Sequence, residues 1–192
     1  MSGPDIAFLI LGIIACIICV ASYQIKNKNH YLIFQLAMAA ILVIQYSCIQ
    51  AWAAVILNSL AVIRALSFYF AKSKPQRITL GSVISALNIV AIVITILYFD
   101  DPNYWYMSIV IGVAQVVGTI AMATASIDVI KISQLAIVSP CWLAFSIFYT
   151  SIGHNNVGGI VQETFNIISI IVYYAYTKKR LIERDKLKEN KE

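Results

Sequence analysis

The sequence predicts an all-α fold that crosses a membrane seven times. Three observations carry that expectation. Of 192 residues, 60% are hydrophobic and 12% charged, with a mean hydropathy of +0.82. A soluble domain carries about 25% charged residues, and one core of this size cannot hide so much apolar surface, so lipid must be the solvent. The apolar residues also fall into runs near the ~20 residues that cross a ~30 Å hydrocarbon layer as a helix. Finally, the Lys and Arg residues sort to alternate connections between those runs.

The first span is residues 6–23. Met1-Ser2-Gly3-Pro4-Asp5 before it has no basic stretch, and 18 apolar residues are long for a secretory leader, so the run is expected to stay as a span. A polar loop with Lys26 and Lys28 follows. Residues 31–72 then form a block charged only at Arg64 and its last residue. A single helix of that length would be roughly twice the hydrocarbon thickness. It must fold back, and Ser47-Cys48-Ile49-Gln50-Ala51-Trp52 offers the turn, giving spans at 31–48 and 52–71.

A basic loop broken by Pro75 precedes the fourth span, 78–98. The run Phe99-Asp100-Asp101-Pro102-Asn103 is a turn signal, and Asp and Pro also suit a helix start. The fifth span is 104–124, and Ser126-Ile127-Asp128 connects it to the sixth, 129–150, with a kink expected at Pro140. A Gly/Asn loop at 151–159, with a solvated His154, leads to the seventh span, 160–177. Residues 178–192 carry both charge signs and read as a solvated cytoplasmic tail.

Orientation follows from the cations. With the N-terminus outside, Lys26, Lys28, Lys72, Lys74, Arg77, Lys131 and the tail all face the cytoplasm, while the opposite loops carry no Lys or Arg. An odd number of spans is then required. Aromatic residues fit two interfacial belts, Tyr46, Trp52, Tyr98, Tyr104, Trp105, Tyr106 and Tyr149 outside, and Tyr23, Tyr31, Phe68, Tyr69, Phe70, Tyr173, Tyr174 and Tyr176 inside.

Two ionisable residues interrupt the apolar spans, Arg64 in the third and Glu163 in the seventh. A charge at the bilayer centre costs at least ~2.5–3.5 kcal/mol, so such groups usually face protein or water and find a partner. A buried pair between them has two readings, a lining for a solute or proton path, or a structural clamp. If Glu163 exchanges a proton, Glu163→Gln removes pH dependence from transport without unfolding the protein. Asn58, Asn166, Asn88, Gln45 and Gln115 either bind a neutral polar solute or join helices by hydrogen bonds. Gly112, Ala114, Gly118 and Thr119 read as a close-packing face. Trp142, near mid-span, is placed to line or plug a cavity.

A few identities suggest an internal repeat. Gln35-Leu36-Ala37 opens the second span and Gln134-Leu135-Ala136 opens the sixth at the same depth. Asn58 and Asn166 lie about two turns into the third and seventh. The pattern suggests two parallel three-helix units joined by the fourth helix, an arrangement of three, one and three, with a solute held between the halves as in small transporters built from parallel repeats.

Several short motifs carry a resemblance: Ile56-Leu57-Asn58, Cys141-Trp142, and Ser151-Ile152-Gly153 followed by Gly158-Gly159 and Glu163. On these the chain resembles the YgjV-type bacterial inner-membrane family over nearly its whole length. That resemblance implies a multi-pass protein of the bacterial inner (plasma) membrane and no reaction. The family pattern has an Arg three positions after each of the two Asn residues; here Ala61 and Ser169 stand there, and Arg64 is one turn further on. More distantly the arrangement is similar to SWEET-type sugar facilitators and PnuC-type vitamin carriers. It departs from the former because Pro75-Gln76 lies in a loop and the first and fifth spans lack Pro.

No stripe of basic and aromatic residues suited to nucleic acid is present. Nor is there a paired-His metal motif, a nucleophile elbow or a phosphate-binding glycine loop. Cys16-Ile17-Ile18-Cys19 has redox spacing but sits in an apolar helix as packing residues. The expectation is a non-enzyme without metal or cofactor, whose partners are the lipid bilayer and a small neutral polar solute. The candidate site residues are Asn58, Arg64, Trp142, Glu163 and Asn166. The alternative is a non-transporting structural or accessory subunit whose polar residues only join helices.

Overall fold

The computed structural model describes residues 3–99, 105–124, 126–153 and 156–189, with side chains described from 6 to 177 within those ranges. Asp100, Asp101, Pro102 and Asn103 of the expected turn, the belt residue Tyr104 and the loop residue His154 lie outside them, as do residues 190–192. Among the described residues, seven helices are long and apolar enough to cross a membrane. They are Gly3–Gln24, Lys28–Cys48, Trp52–Phe70, Lys74–Tyr98, Trp105–Thr124, Ile127–Ser151 and Val157–Glu189. The seventh helix thus runs beyond its apolar part, Val157–Thr177, into the charged tail.

Local chemistry explains where several of these begin and end. The Asn27 side chain accepts from the backbone N–H groups of Asn29 and His30, at 2.8 and 3.3 Å, so the second helix starts at Lys28, ahead of its apolar run. Ser73 caps the fourth through Gln76 N–H at 3.3 Å, and Pro75 sits in the first turn, where its missing N–H costs nothing. Pro75 therefore starts a helix instead of breaking a loop. The turn between the second and third helices has no glycine. It closes through Gln50 in the left-handed region at φ 55°, with the Ala51 N–H bonded to Tyr46 O at 3.1 Å.

The sixth helix is continuous but irregular. Residues Gln134–Val138 form a π-helical turn, and α-helix resumes at Ser139 with Pro140 in its first turn. Where the sequence leads one to expect a kink at Pro140, the structure has this π turn just ahead of it. The wider turn leaves Pro140 free of the N–H and carbonyl conflict it would meet inside a regular α-helix.

Six helices close a ring. The first packs on the second and seventh, the second on the third, the third on the fifth, the fifth on the sixth, and the sixth on the seventh. The fourth lies against the third and fifth. Exchanging helices one, two and three for five, six and seven maps this order of neighbours onto itself. The glycines set two of the closest approaches. A Cβ on Gly81 or Gly112 would run into the side chains of Ala123 and Ile92, so each glycine lets a side chain of the facing helix pack against its backbone.

Buried positions follow the same exchange. In the second helix Tyr31, Leu32 and Gln35 are buried, and so, 99 residues on, are Ile130, Lys131 and Gln134 of the sixth. Beyond the π turn the spacing is 100. Leu42, Gln45 and Tyr46 match Trp142, Phe145 and Ser146. In the third and seventh helices Ala54, Asn58, Ala61 and Ala65 match Gln162, Asn166, Ser169 and Tyr173 at a spacing of 108.

Candidate functional site

Polar side chains from five helices converge midway along the ring. The cavity they line offers about 40 Å³ to water centres, room for roughly three waters. Gln35 and Tyr46 come from the second helix, Asn58 and Arg64 from the third, and Gln115 from the fifth. The sixth contributes Gln134 and Trp142, and the seventh Glu163 and Asn166. All five residues singled out in the sequence thus border one space. Each is more than nine-tenths buried.

Arg64 points sideways to the fifth helix. Its Nη1 donates to Gln115 Oε1 at 2.9 Å, to Gln115 O at 3.2 Å and to Thr119 Oγ1 at 3.2 Å. Gly118 makes room for this. A Cβ there would lie 3.4 Å from Nη1. Asn88 of the fourth helix extends the network, donating to Thr119 Oγ1 at 3.4 Å. The Arg64 Nε is buried with no partner.

Glu163 is held differently. Asn166 Nδ2, one turn on, donates to its Oε2 at 3.1 Å, and Asn166 Oδ1 is left buried and unpartnered. Among the described residues no ion pair joins Arg64 to Glu163. The sequence leaves open a direct pair closed by the reach of the Arg. The structure instead turns the guanidinium to the neighbouring fifth helix, where Gln115 and Thr119 lie within hydrogen-bond reach.

Apolar clusters flank the cavity on both sides. Toward the turn at 49–51, Tyr46 stacks on Trp142 with ring centroids 6.0 Å apart, and both contact Phe145. Toward the basic end, Tyr23, Tyr31, Leu32, Phe68 and Ile170 form a second cluster. There Lys131 has no accessible surface. Its Nζ donates to Ile25 O at 2.9 Å and lies 3.4 Å from the Tyr173 ring centroid, binding the loop after the first helix to the sixth and seventh.

The aromatic belts need correction accordingly. Trp52, Tyr69, Phe70, Tyr98, Trp105, Tyr106 and Tyr176 are exposed on the outer surface, as belt residues should be. Tyr23, Tyr31, Tyr46, Phe68 and Tyr173 are buried and close the ends of the bundle instead. Sequence reasoning also passed over Thr119, read as packing, and Lys131, read as a loop cation. It noticed Gln35 and Gln134 only as repeat markers, although that repetition was itself the signal. Gln45 is buried away from the cavity, facing Gly12 and Gly158, with neither amide atom partnered. Among the described residues no three His, Cys, Asp or Glu side chains gather to hold a metal.

Comparison with protein families matches residues 6–180 to Imp-YgjV, described as a bacterial inner membrane protein family. The match covers most of the chain, which therefore belongs to that family and is a multi-pass protein of the bacterial inner membrane. Comparisons with curated proteins and with solved structures find no match.

Proposed function

We propose that this member of the Imp-YgjV family carries a small polar solute, neutral overall, through a site between two three-helix halves. One observation carries the reading. Hydrogen-bonding side chains from five helices converge on a central cavity in a protein whose outer surface is apolar. Polar residues that only join helices satisfy one another at the contact between them. Here Arg64 Nε and Asn166 Oδ1 have no protein partner, on residues that line a space able to hold water.

The symmetric order of neighbours and of buried positions supports a repeat of three helices, a linking helix and three more. In such a fold the fourth helix is a connector, and the solute lies at the interface of the repeats. The distribution of Lys and Arg supports a cytoplasmic C-terminus. The protein acts by binding and passage, without chemical change of the solute.

Osmotic swelling tests this. Proteoliposomes holding the purified protein are mixed with inward gradients of glycerol, acetamide or glycine, and light scattering follows entry. At least one solute is expected to enter faster than into protein-free vesicles, with Asn58→Leu and Asn166→Leu slowing it. Entry no faster than into protein-free vesicles for all three would favour the accessory-subunit reading.

A further inference from the structure

We infer that the solute is a compact zwitterion, with an ammonium group and an anionic group separated by only a few bonds. The inference rests on the carrier reading above and narrows it. Among the described residues lining the cavity, Arg64 and Glu163 are the only charged ones. They are opposite in sign, come from helices three and seven, and do not touch. Two opposite charges held apart in a poorly polarisable interior cost more than the same charges in contact. A fold that needed only a clamp would bring them together.

The hydrogen bonding is incomplete in a matching way. At the Arg64 end the unused group is a donor, Nε. At the Glu163 end the carboxylate is bonded by Asn166 and by the Ser139 side chain, and the unused group is an acceptor, Asn166 Oδ1. An anionic group placed beside Arg64 takes the spare donor. An ammonium beside Glu163 supplies the donor that Asn166 Oδ1 lacks and a counter-charge for the carboxylate. Such a ligand completes both ends and brings no net charge into the membrane. A simple anion or amine serves one end and leaves the other charge unpaired, and a polyol brings charge to neither. Room for roughly three waters suits a molecule near glycine in bulk.

The test measures thermal unfolding of the purified full-length protein with glycine, acetate, ethylamine or acetamide at equal concentration. Glycine is expected to raise the unfolding midpoint more than the other three. Its apparent affinity falls about tenfold or more in Glu163→Gln and in Arg64→Gln, since each removes a charged hydrogen bond. Stabilisation by acetamide without glycine would overturn the zwitterion and leave the polar-solute carrier standing. Equal stabilisation by acetate and glycine, unchanged in Glu163→Gln, would make the site an anion site and also overturn it. A flat response to all four, joined with no swelling flux, would remove both readings. The wild-type series decides the matter even where a variant does not fold.

Discussion

Arg64 makes three hydrogen bonds through one nitrogen and leaves another nitrogen idle. That is a poor arrangement for stability. Burying a cation costs several kcal/mol of lost hydration, which bonds to neutral partners offset only in part, whereas breaking a true buried ion pair costs about 3–5 kcal/mol. Arg64→Met is therefore expected to leave stability within ~1 kcal/mol of the parent, or to raise it, while abolishing solute-dependent stabilisation. Reversible denaturant unfolding in detergent checks this, and a loss of about 3 kcal/mol or more would mark Arg64 as a clamp. At this scale the sequence was informative about intramembrane charge, because a lone Arg or Glu in an apolar run is costly wherever it points. It was silent on direction. Whether Tyr31 faces lipid or Lys131 lies under Tyr173 depends on which helix stands beside it, and no local pattern encodes that.

The π turn at Gln134–Val138 is the most informative single element. Ahead of it the sixth helix matches the buried positions of the second at a spacing of 99, and after it at 100. A π turn holds one residue more than the α-turn it replaces. Relative to the burial pattern of the second helix, the sixth holds one extra residue, and the π turn absorbs it so that Trp142, Phe145 and Ser146 still face inward. Deleting the exposed Ile137 restores a regular helix but strands Pro140 inside it, at a cost of about 3 kcal/mol. The same deletion combined with Pro140→Ala is expected to fold and to keep Trp142 against Tyr46. Deleting Leu143 is expected to turn Phe145 and Ser146 out of the bundle. Thermal unfolding with tryptophan fluorescence distinguishes the two; failure of the double change to fold would show that the π turn is required. The repeated Gln-Leu-Ala hinted at this relation, but a one-residue change of spacing is invisible until burial reveals it. The turn at Gln50 was hard to read for a similar reason, since a glutamine holds the left-handed position where glycine is usual.

For the whole molecule, lipid is the dominant physical fact and the one most openly written in the sequence. Hydropathy marks the crossings because each helix must present an apolar surface to hydrocarbon while bonding its own backbone. The ring order, the fourth helix outside it, and the meeting of Asn58, Arg64, Trp142, Glu163 and Asn166 at one cavity needed the structure. Positions on separate helices come together only through packing. The account depends on the inward faces of the third and seventh helices being wet and their outward faces dry. A cysteine scan measures this directly. With Cys16, Cys19, Cys48 and Cys141 replaced by alanine, single cysteines are placed in the protein in membranes and exposed to a water-soluble thiol reagent. Asn58→Cys, Ala61→Cys and Asn166→Cys are expected to react, and Ile63→Cys, Phe165→Cys and Ile168→Cys to stay inert. Inert inward positions, or reaction at the lipid-facing ones, would contradict a polar site sheltered between the two halves.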